Sequence, residues 1–233
     1  MSIQSMFFSY DEFKVSGLMR LQTIVFLALC VETAVASEAE IRVRISPDTD
    51  YVMVNHEGRE IRIERVQDPT NTIRARYGLT SRACPPFCIQ PATLAPGVET
   101  IGELELLDYL ARQDDDEQIL VIDSRTPDWL DHGTIPGSKN IPWKQLAPTA
   151  GADPFEIQRI LEDEFGALLI EELWDFSQVK TLVLFCNGPW CGQSPANIRT
   201  LLRFGYPAVK LKWYRGGMQA WESLGLTTVR PTP

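Results

Sequence analysis

From about residue 98 onward, short apolar runs alternate with segments of helical periodicity, and this alternation constrains the fold more than any other feature. Three runs have the character of buried strands: Ile119 to Ile122, which ends at Asp123, then Thr181 to Phe185, and Ala208 to Trp213. Strands that alternate with helices form parallel sheets covered by helices on both faces. The sequence therefore predicts an α/β domain built on a parallel sheet.

Local signals mark the starts of the first two helices. Thr100 and Glu103 predict a capping box ahead of Leu104, Leu107 and Leu110. Asp153 as the cap and Pro154 at the first helical position predict a second helix. The apolar side of that helix is expected to comprise Ile157, Ile160, Leu161 and Phe165.

Two further helices are predicted in the last third of the chain. Ser194 and Pro195 begin the first, and Gly205 ends it. Its apolar face is expected to carry Ile198, Leu201 and Leu202. The spacing of Met218, Trp221 and Leu224 fits a short final helix.

The chain ahead of this domain divides into two parts. Residues 37–77 are β-rich: Ile41, Val43 and Ile45 alternate with arginines, and strands over 51–54 and 61–66 flank a turn at 55–59. Residues 78–97 contain several prolines, which make a helix improbable there. The sequence thus predicts a small β-rich unit at 37–77, a linker or packed loop at 78–97, and the main domain at 98–233.

The N-terminal residues 1–36 have the layout of a secretory signal. Met19 and Arg20 supply a positive start, residues 21–31 are mostly apolar, and 34–36 form a small-x-small cleavage site. We therefore expect translation to begin at Met19 and the protein to be exported, to the periplasm in a bacterium. The alternative is an uncleaved membrane anchor.

Cleavage after residue 36 would leave four cysteines: Cys84, Cys88, Cys186 and Cys191. An even number of cysteines in an exported protein favours disulfides. A four-cysteine zinc site is disfavoured because the spacing does not match the usual short knuckles. The sequence has no CxxCH or GxGxxG motif, so no cofactor is predicted. The net charge of −9 argues against a nucleic-acid partner.

The loop after the strand 181–185 is the strongest candidate site. Sites in such sheets lie at the carboxyl ends of strands, where Cys186 falls. Backbone N–H groups and the following helix N-terminus favour an anion, so we expect a lowered pKa for a thiol there. The alternative is that Cys186 is simply a buried or disulfide-bonded cysteine. The loop consists of Asn187, Gly188, Pro189, Trp190, Cys191, Gly192, Gln193 and Ser194.

Two flanking motifs resemble the signatures of rhodanese-like domains. The stretch VIDSRTPDWLDHGTIPGSKNIPW, residues 121–143, resembles the first, in which Asp-x-Arg precedes Gly-His-Ile-Pro-Gly-Ala-x-Asn-Ile-Pro. Asp123 and Arg125 match the Asp-x-Arg pair. YRGGMQAW, residues 214–221, resembles the second signature. The resemblance covers roughly residues 98–230.

This resemblance implies a sulfurtransferase with a parallel sheet. Cys186 would carry sulfane sulfur as a persulfide, loaded by a donor such as thiosulfate and removed by a thiol acceptor. Asp123 and Arg125 would support the loop. The usual family loop, Cys-x-x-Gly-x-Arg-Ser/Thr, contains an arginine, whereas none lies between Cys186 and Ser194, and the interval is two residues longer. Binding of an anionic donor should therefore be weaker.

The remaining cysteines leave alternatives open. Cys191 could resolve a persulfide on Cys186 as a disulfide, or the pair could be structural. Cys84 and Cys88 could form a local staple or a second redox pair. The competing functions are therefore a sulfurtransferase, a thiol–disulfide redox protein with a protein redox partner, and a non-catalytic binding module.

Overall fold

Five parallel strands form the central layer of the structure, a computed structural model that describes residues 42–230. The strands in chain order are β1 (Tyr51–His56), β2 (Arg59–Glu64), β3 (Glu99–Ile101), β4 (Ile119–Asp123), β5 (Lys139–Asn140), β6 (Leu168–Ile170), β7 (Leu173–Asp175), β8 (Thr181–Phe185) and β9 (Leu211–Tyr214). The parallel sheet has the order β3-β9-β8-β4-β5. The predicted α/β fold with a parallel sheet is confirmed.

Helices cover both faces of this sheet. They are α1 (Ala75–Gly78), α2 (Glu103–Arg112), α3 (Pro127–Leu130), α4 (Trp143–Leu146), α5 (Pro154–Arg159), α6 (Gln193–Phe204) and α7 (Gly217–Ser223). Alternate residues of β8 face opposite sides: Leu184 packs in the cluster that includes α4, α5 and α6, whereas Val183 packs with α2 and α7. This alternation follows from the two-residue period of a strand.

The signals at residues 153–154 and 205 are confirmed. The Asp153 carboxylate accepts a hydrogen bond from the backbone N–H of Phe155 at 3.1 Å, and Pro154 is the first residue of α5. Gly205 ends α6 with a left-handed φ of 96°. The expected apolar residues after Asp153 are all buried: Ile157, Ile160, Leu161 and Phe165. Residues 160–164 continue α5 as a π-helical turn.

The capping box predicted at Thr100 and Glu103 is wrong by two residues. Thr100 belongs to β3, and the backbone N–H of Gly102 donates to the Glu105 carboxylate at 3.0 Å. Pairing of β3 with β9 keeps the chain extended through residue 101. The helix consequently buries Leu106 and leaves Leu104 57% exposed.

Two strand predictions also differ from the structure. The strand expected from Ala208 begins at Leu211, because residues 208–210 form a 3₁₀ turn after Pro207. No strand forms over 42–45; instead the Gln67 side chain bonds both backbone groups of Val43 at 3.0 and 2.9 Å, taking the place of a partner strand. Residue 41 lies outside the described residues. The β6–β7 pair had no sequence signal that we recognised.

The β1–β2 hairpin completes the core on one face of the sheet. Its turn lies at Glu57 and Gly58, which both have left-handed φ angles. Val54 and Ile63 are buried in the cluster that holds Tyr77 and Leu106. The division of the chain at 77/78 and 97/98 stays a prediction.

The predicted signal segment, 1–36, lies outside the described residues. Within residues 42–230, the structure contains no helix with the length and apolar character needed to span a membrane.

Candidate active site

The loop between β8 and α6 carries two bonded cysteines. Cys186 directly follows β8, and its sulfur is joined to that of Cys191 across a Cα–Cα distance of 6.2 Å. The Cys191 N–H donates to the Gly188 carbonyl at 2.9 Å, which closes a tight turn. Both cysteines are buried, at 2% and 5% exposure. The loop therefore places a disulfide at the carboxyl edge of the sheet, next to a helix N-terminus.

The first turn of α7 holds the start of this loop. The Met218 N–H donates to the Cys186 carbonyl at 3.0 Å, and the Gln219 N–H donates to the Asn187 carbonyl at 2.9 Å. This close approach depends on Gly217, which has a φ of +55°. A Cβ there would overlap the Cys186 carbonyl and the Gly188 nitrogen. Gly217 of the second signature thus allows α7 to pack directly against the cysteine loop.

Asp123 and Arg125 form a fully buried ion pair below the loop. The Arg125 Nη2 lies 2.5 Å from the Asp123 carboxylate, and its Nε donates to the same carboxylate at 2.8 Å. Thr134 Oγ1 donates to Asp123 at 2.7 Å, and the Gly133 carbonyl accepts from Arg125 at 2.9 Å. Burial alone would lower the pKa of Arg125, but the charge and hydrogen bonds of Asp123 raise it above its ordinary value.

Tyr77 links this ion pair to the loop. Its hydroxyl accepts from Arg125 Nη1 at 3.0 Å, and the Asn187 side-chain oxygen lies 3.5 Å from both groups. Burial raises the pKa of Tyr77, so the phenol stays neutral and serves as a hydrogen-bonding link. Tyr77 precedes the predicted domain, and sequence reasoning missed its role because nothing local marks it.

Gln193 and Ser194 follow the second cysteine. The Gln193 Oε1 lies 3.5 Å from Cys186 Sγ and 3.8 Å from Cys191 Sγ. The Ser194 hydroxyl is fully buried and accepts from the Trp213 Nε1 at 3.2 Å, which ties the start of α6 to β9. Gln193 is therefore the polar side chain that contacts both sulfurs.

A segment from the predicted linker packs over the loop. Phe87 meets Trp190 edge to face with 5.5 Å between ring centroids, and the Gln90 N–H donates to the Pro189 carbonyl at 2.8 Å. Cys84 and Cys88 are bonded to each other within this segment. The segment is thus a part of the site and contains its own disulfide.

Beside Cys191 the surface opens into a cavity of about 470 Å³. Four aromatic side chains line it: Phe87, Trp129, Trp143 and Trp190. Lys144 is the one charged residue in the lining, which also contains Asn187, Gln193 and Cys191 but not Cys186. The disulfide thus meets the cavity on the Cys191 side.

A family comparison identifies the domain. The model of the rhodanese-like domain matches residues 106–224, just over half of the chain. The chain belongs to the rhodanese-like domain family. The sequence comparison with curated proteins found no match.

Solved structures similar to this rhodanese-like chain are distant in sequence. A human single-domain sulfurtransferase, TSTD1, is 23% identical and has a TM-score of 0.32 over 54% of this chain and 96% of its own. A Rhodopseudomonas palustris protein of unknown function, described as a possible tyrosine phosphatase, is 18% identical, with a TM-score of 0.37 over 58% and 88%. EanB bound to ergothioneine is 17% identical, with a TM-score of 0.42 over 59% of this chain and 33% of its own.

The rhodanese-like loop of this chain departs from the family pattern in a visible way. Gln193 directly precedes Ser194, where the pattern has its arginine, and the position carries no charge. The structure brings together Cys186, Cys191, the predicted loop and the Asp123–Arg125 support. Cys84 and Cys88 pair separately, on the segment above Trp190. Within residues 42–230, no group of three or more His, Cys, Asp or Glu side chains is placed to hold a metal ion.

Sequence reasoning missed most of the cavity wall. Trp129 and Trp143 lie inside the first signature but have no spacing that marks them as lining residues. Arg76 and Arg82, which stack on Trp129 and Trp190, lie ahead of the predicted domain. No local pattern in the sequence marks these residues as neighbours of the site.

Proposed function

We propose that this chain is a sulfurtransferase in which Cys186 carries sulfane sulfur as a persulfide. The observation that carries the proposal is the position of Cys186 in a rhodanese-like domain, directly after β8, with its carbonyl held by α7. In the reduced protein, the Cys186 thiolate would attack the sulfane sulfur of thiosulfate. The sulfur–sulfur bond of thiosulfate breaks, sulfite leaves, and a persulfide remains on Cys186.

Two routes would then remove the sulfur. A thiol acceptor can attack the outer sulfur of the persulfide and leave the Cys186 thiolate. Alternatively, the Cys191 thiolate attacks Cys186 Sγ, forms the Cys186–Cys191 bond and releases hydrosulfide. The bonded pair in the structure supports the second route, because its Cα separation is within the range of ordinary disulfides. A dithiol reductant would be needed to restore the thiols.

Mass spectrometry tests this proposal directly. The protein is reduced with a dithiol, freed of reductant, treated with thiosulfate and analysed by intact mass and peptide mapping. We expect one added sulfur atom on Cys186, none in Cys186→Ser, and a longer-lived adduct in Cys191→Ser, where no resolving thiol remains. A reduced wild-type protein that gains no sulfur would contradict thiosulfate loading.

A second candidate is a thiol–disulfide oxidoreductase. It is favoured by the bonded pair and by the position of Cys191 in the cavity wall, where an incoming thiolate of a protein redox partner would meet it. This candidate predicts that a dithiol reduces Cys186–Cys191 readily and that the reduced protein passes electrons to a disulfide substrate without gaining sulfur from thiosulfate.

Export is part of the proposal. It is supported by the signal layout of 1–36 and by the two disulfides, since such bonds persist in oxidising compartments. N-terminal sequencing of protein recovered from the native host should begin at residue 37. An N-terminus that retains residues 19–36 would favour the membrane-anchored alternative.

A further inference from the structure

The cavity beside Cys191 has more room than an inorganic sulfur donor requires. Its volume of about 470 Å³ lies within the range of roughly 300–1,000 Å³ that holds small organic ligands. The aromatic walls come from four separate parts of the chain: Phe87 from the segment before the sheet, Trp129 from α3, Trp143 from the start of α4, and Trp190 from the cysteine loop. Converging aromatic rings of this kind bind planar apolar groups.

Three cationic side chains lie in or next to this aromatic cavity. Lys144 lines it and makes no ion pair within residues 42–230. The guanidinium of Arg76 lies 4.2 Å from the ring centroid of Trp129, and that of Arg82 lies 4.1 Å from that of Trp190. No acidic side chain lines the cavity. In a chain with a net charge of −9, this local excess of cations favours an anionic ligand.

The cysteine loop itself offers no cation to such an anion. Gln193 is neutral, and the loop from Asn187 to Ser194 contains neither lysine nor arginine. The anionic group would therefore be held by Lys144 at the cavity wall, while the rest of the ligand covers the aromatic rings. A small inorganic oxyanion would make no contact with most of these rings. A neutral hydrocarbon would make no ion pair with Lys144.

We propose that the cavity binds a planar aromatic organic anion, with the ring among the tryptophans and the anionic group at Lys144. The natural sulfur donor or acceptor of the cysteine pair is then a compound of this class; this second statement rests on the proposed sulfurtransferase function. Cys186 lies directly behind the cavity wall, since Gln193 of the lining is 3.5 Å from its sulfur. An arylthiosulfonate illustrates the chemistry: after reduction of the Cys186–Cys191 bond, the Cys186 thiolate attacks its terminal sulfur, an arylsulfinate leaves, and the persulfide remains.

Binding is tested first with a probe that cannot transfer sulfur. Calorimetric titration with naphthalene-2-sulfonate should show saturable binding at one site, whereas methanesulfonate at the same concentrations should not bind. Lys144→Gln should weaken naphthalenesulfonate binding about tenfold, and Trp190→Ala should weaken it by at least as much. Lys210→Gln removes a lysine that does not line the cavity and should leave binding unchanged. Equal binding by the Lys144→Gln and Lys210→Gln variants would overturn the proposal.

Sulfur loading then separates this inference from the proposed function. We expect benzenethiosulfonate to load Cys186 at lower concentrations than thiosulfate, and naphthalenesulfonate to compete with it. Thiosulfate loading without competition by naphthalenesulfonate would refute the cavity's role as the sulfur-substrate site and leave the sulfurtransferase intact. Tight naphthalenesulfonate binding with no loading by either donor would refute the sulfurtransferase and keep the binding site.

Discussion

At the scale of single residues, Arg125 forms a buried ion pair beneath the cysteine loop. It is fully buried, pairs with Asp123 and lies against Asn187, the residue after Cys186. Replacing one partner of such a pair leaves an uncompensated buried charge. We therefore expect Arg125→Met to lower the free energy of unfolding by about 3–5 kcal/mol in urea denaturation.

The exposed pair Arg112–Asp108 supplies the control. Arg112→Met removes the same side chain from a helix surface and should cost no more than about 0.5 kcal/mol. Similar losses for the two variants would show that burial does not set the energy of the Arg125 pair.

Gly217 is the second residue whose identity the structure dictates. Gly217→Ala would place a methyl group against the Cys186 carbonyl and the Gly188 nitrogen. We expect a stability loss of roughly 2–4 kcal/mol, the sum of a left-handed backbone penalty and an overpacking cost. Sulfur loading of Cys186 should fall as well, because α7 would move away from the loop.

Gly58 provides a matched comparison for Gly217. It also has a left-handed φ, +79°, but an added Cβ would meet nothing within 4 Å. Gly58→Ala should therefore cost only the backbone penalty, about 1–2 kcal/mol, and leave sulfur loading unchanged. If both variants load sulfur normally, α7 does not position the cysteine loop.

At the scale of elements, His56 couples the β1–β2 hairpin to the main domain. The His56 Nδ1 accepts a hydrogen bond from the Gly137 N–H at 3.2 Å, which requires the neutral ring. Burial lowers the pKa of His56, with a smaller opposing effect from Glu57 and a further lowering by Arg59. Because the pKa is lower in the folded protein, the unfolded chain binds the proton more readily. The contribution of His56 to the free energy of unfolding is therefore fully present above about pH 6.5 and decreases as the pH falls from there toward the folded-state pKa.

This linkage predicts the behaviour of a specific variant. His56→Asn keeps a side-chain acceptor but cannot titrate, so its free energy of unfolding should fall less between pH 7.5 and 5. The wild-type protein should therefore lose more stability than the variant over this range, because only the wild type takes up a proton on a partly buried ring that accepts from the Gly137 N–H. Urea titrations across this range measure this difference, and parallel pH profiles would exclude His56 as the cause.

The elements that the sequence predicted well are those with strong local signals. Asp153 and Pro154 start a helix because the cap and the first turn are adjacent in the chain. The capping box predicted at Thr100 is wrong because β3 pairs with β9, which lies more than a hundred residues away in the chain, and this pairing keeps Thr100 in the strand. The strand predicted from Ala208 begins three residues later for a different, local reason: Pro207 is followed by a turn at 208–210, which the apolar pattern does not reveal.

The residues of the candidate site likewise differ in how well the sequence predicts them. Cys186 and the Asp123–Arg125 pair could be found from the sequence, since each lies at a strand end or within a recognisable motif. Tyr77 and Phe87 could not, because they lie outside the recognised motifs and reach the loop only through tertiary packing. The bond between Cys186 and Cys191 fits both interpretations that the sequence leaves open, a resolving pair and a structural disulfide.

At the scale of the whole molecule, the hairpin and the domain share one buried cluster. Val54 and Ile63 pack with Leu106 and Leu110, and Tyr77 reaches the ion pair under the cysteine loop. Burial of Val54, Ile63 and Tyr77 contributes roughly 5–8 kcal/mol. This is comparable to the total stability of a typical domain, about 5–15 kcal/mol. The rhodanese-like sheet therefore depends on residues that lie outside the family match.

This dependence predicts the outcome of truncation. A chain of residues 98–233 should lose cooperative urea unfolding and expose apolar surface that binds a hydrophobic dye, whereas a chain of residues 42–233 should unfold cooperatively. The double variant Val54→Ala/Ile63→Ala in the longer chain tests the same packing without removing a segment, and it should cost roughly 3–6 kcal/mol. Cooperative unfolding of 98–233 at the stability of the longer chain would instead establish the sheet domain as an independent folding unit, with the hairpin and the Tyr77 contact as dispensable additions.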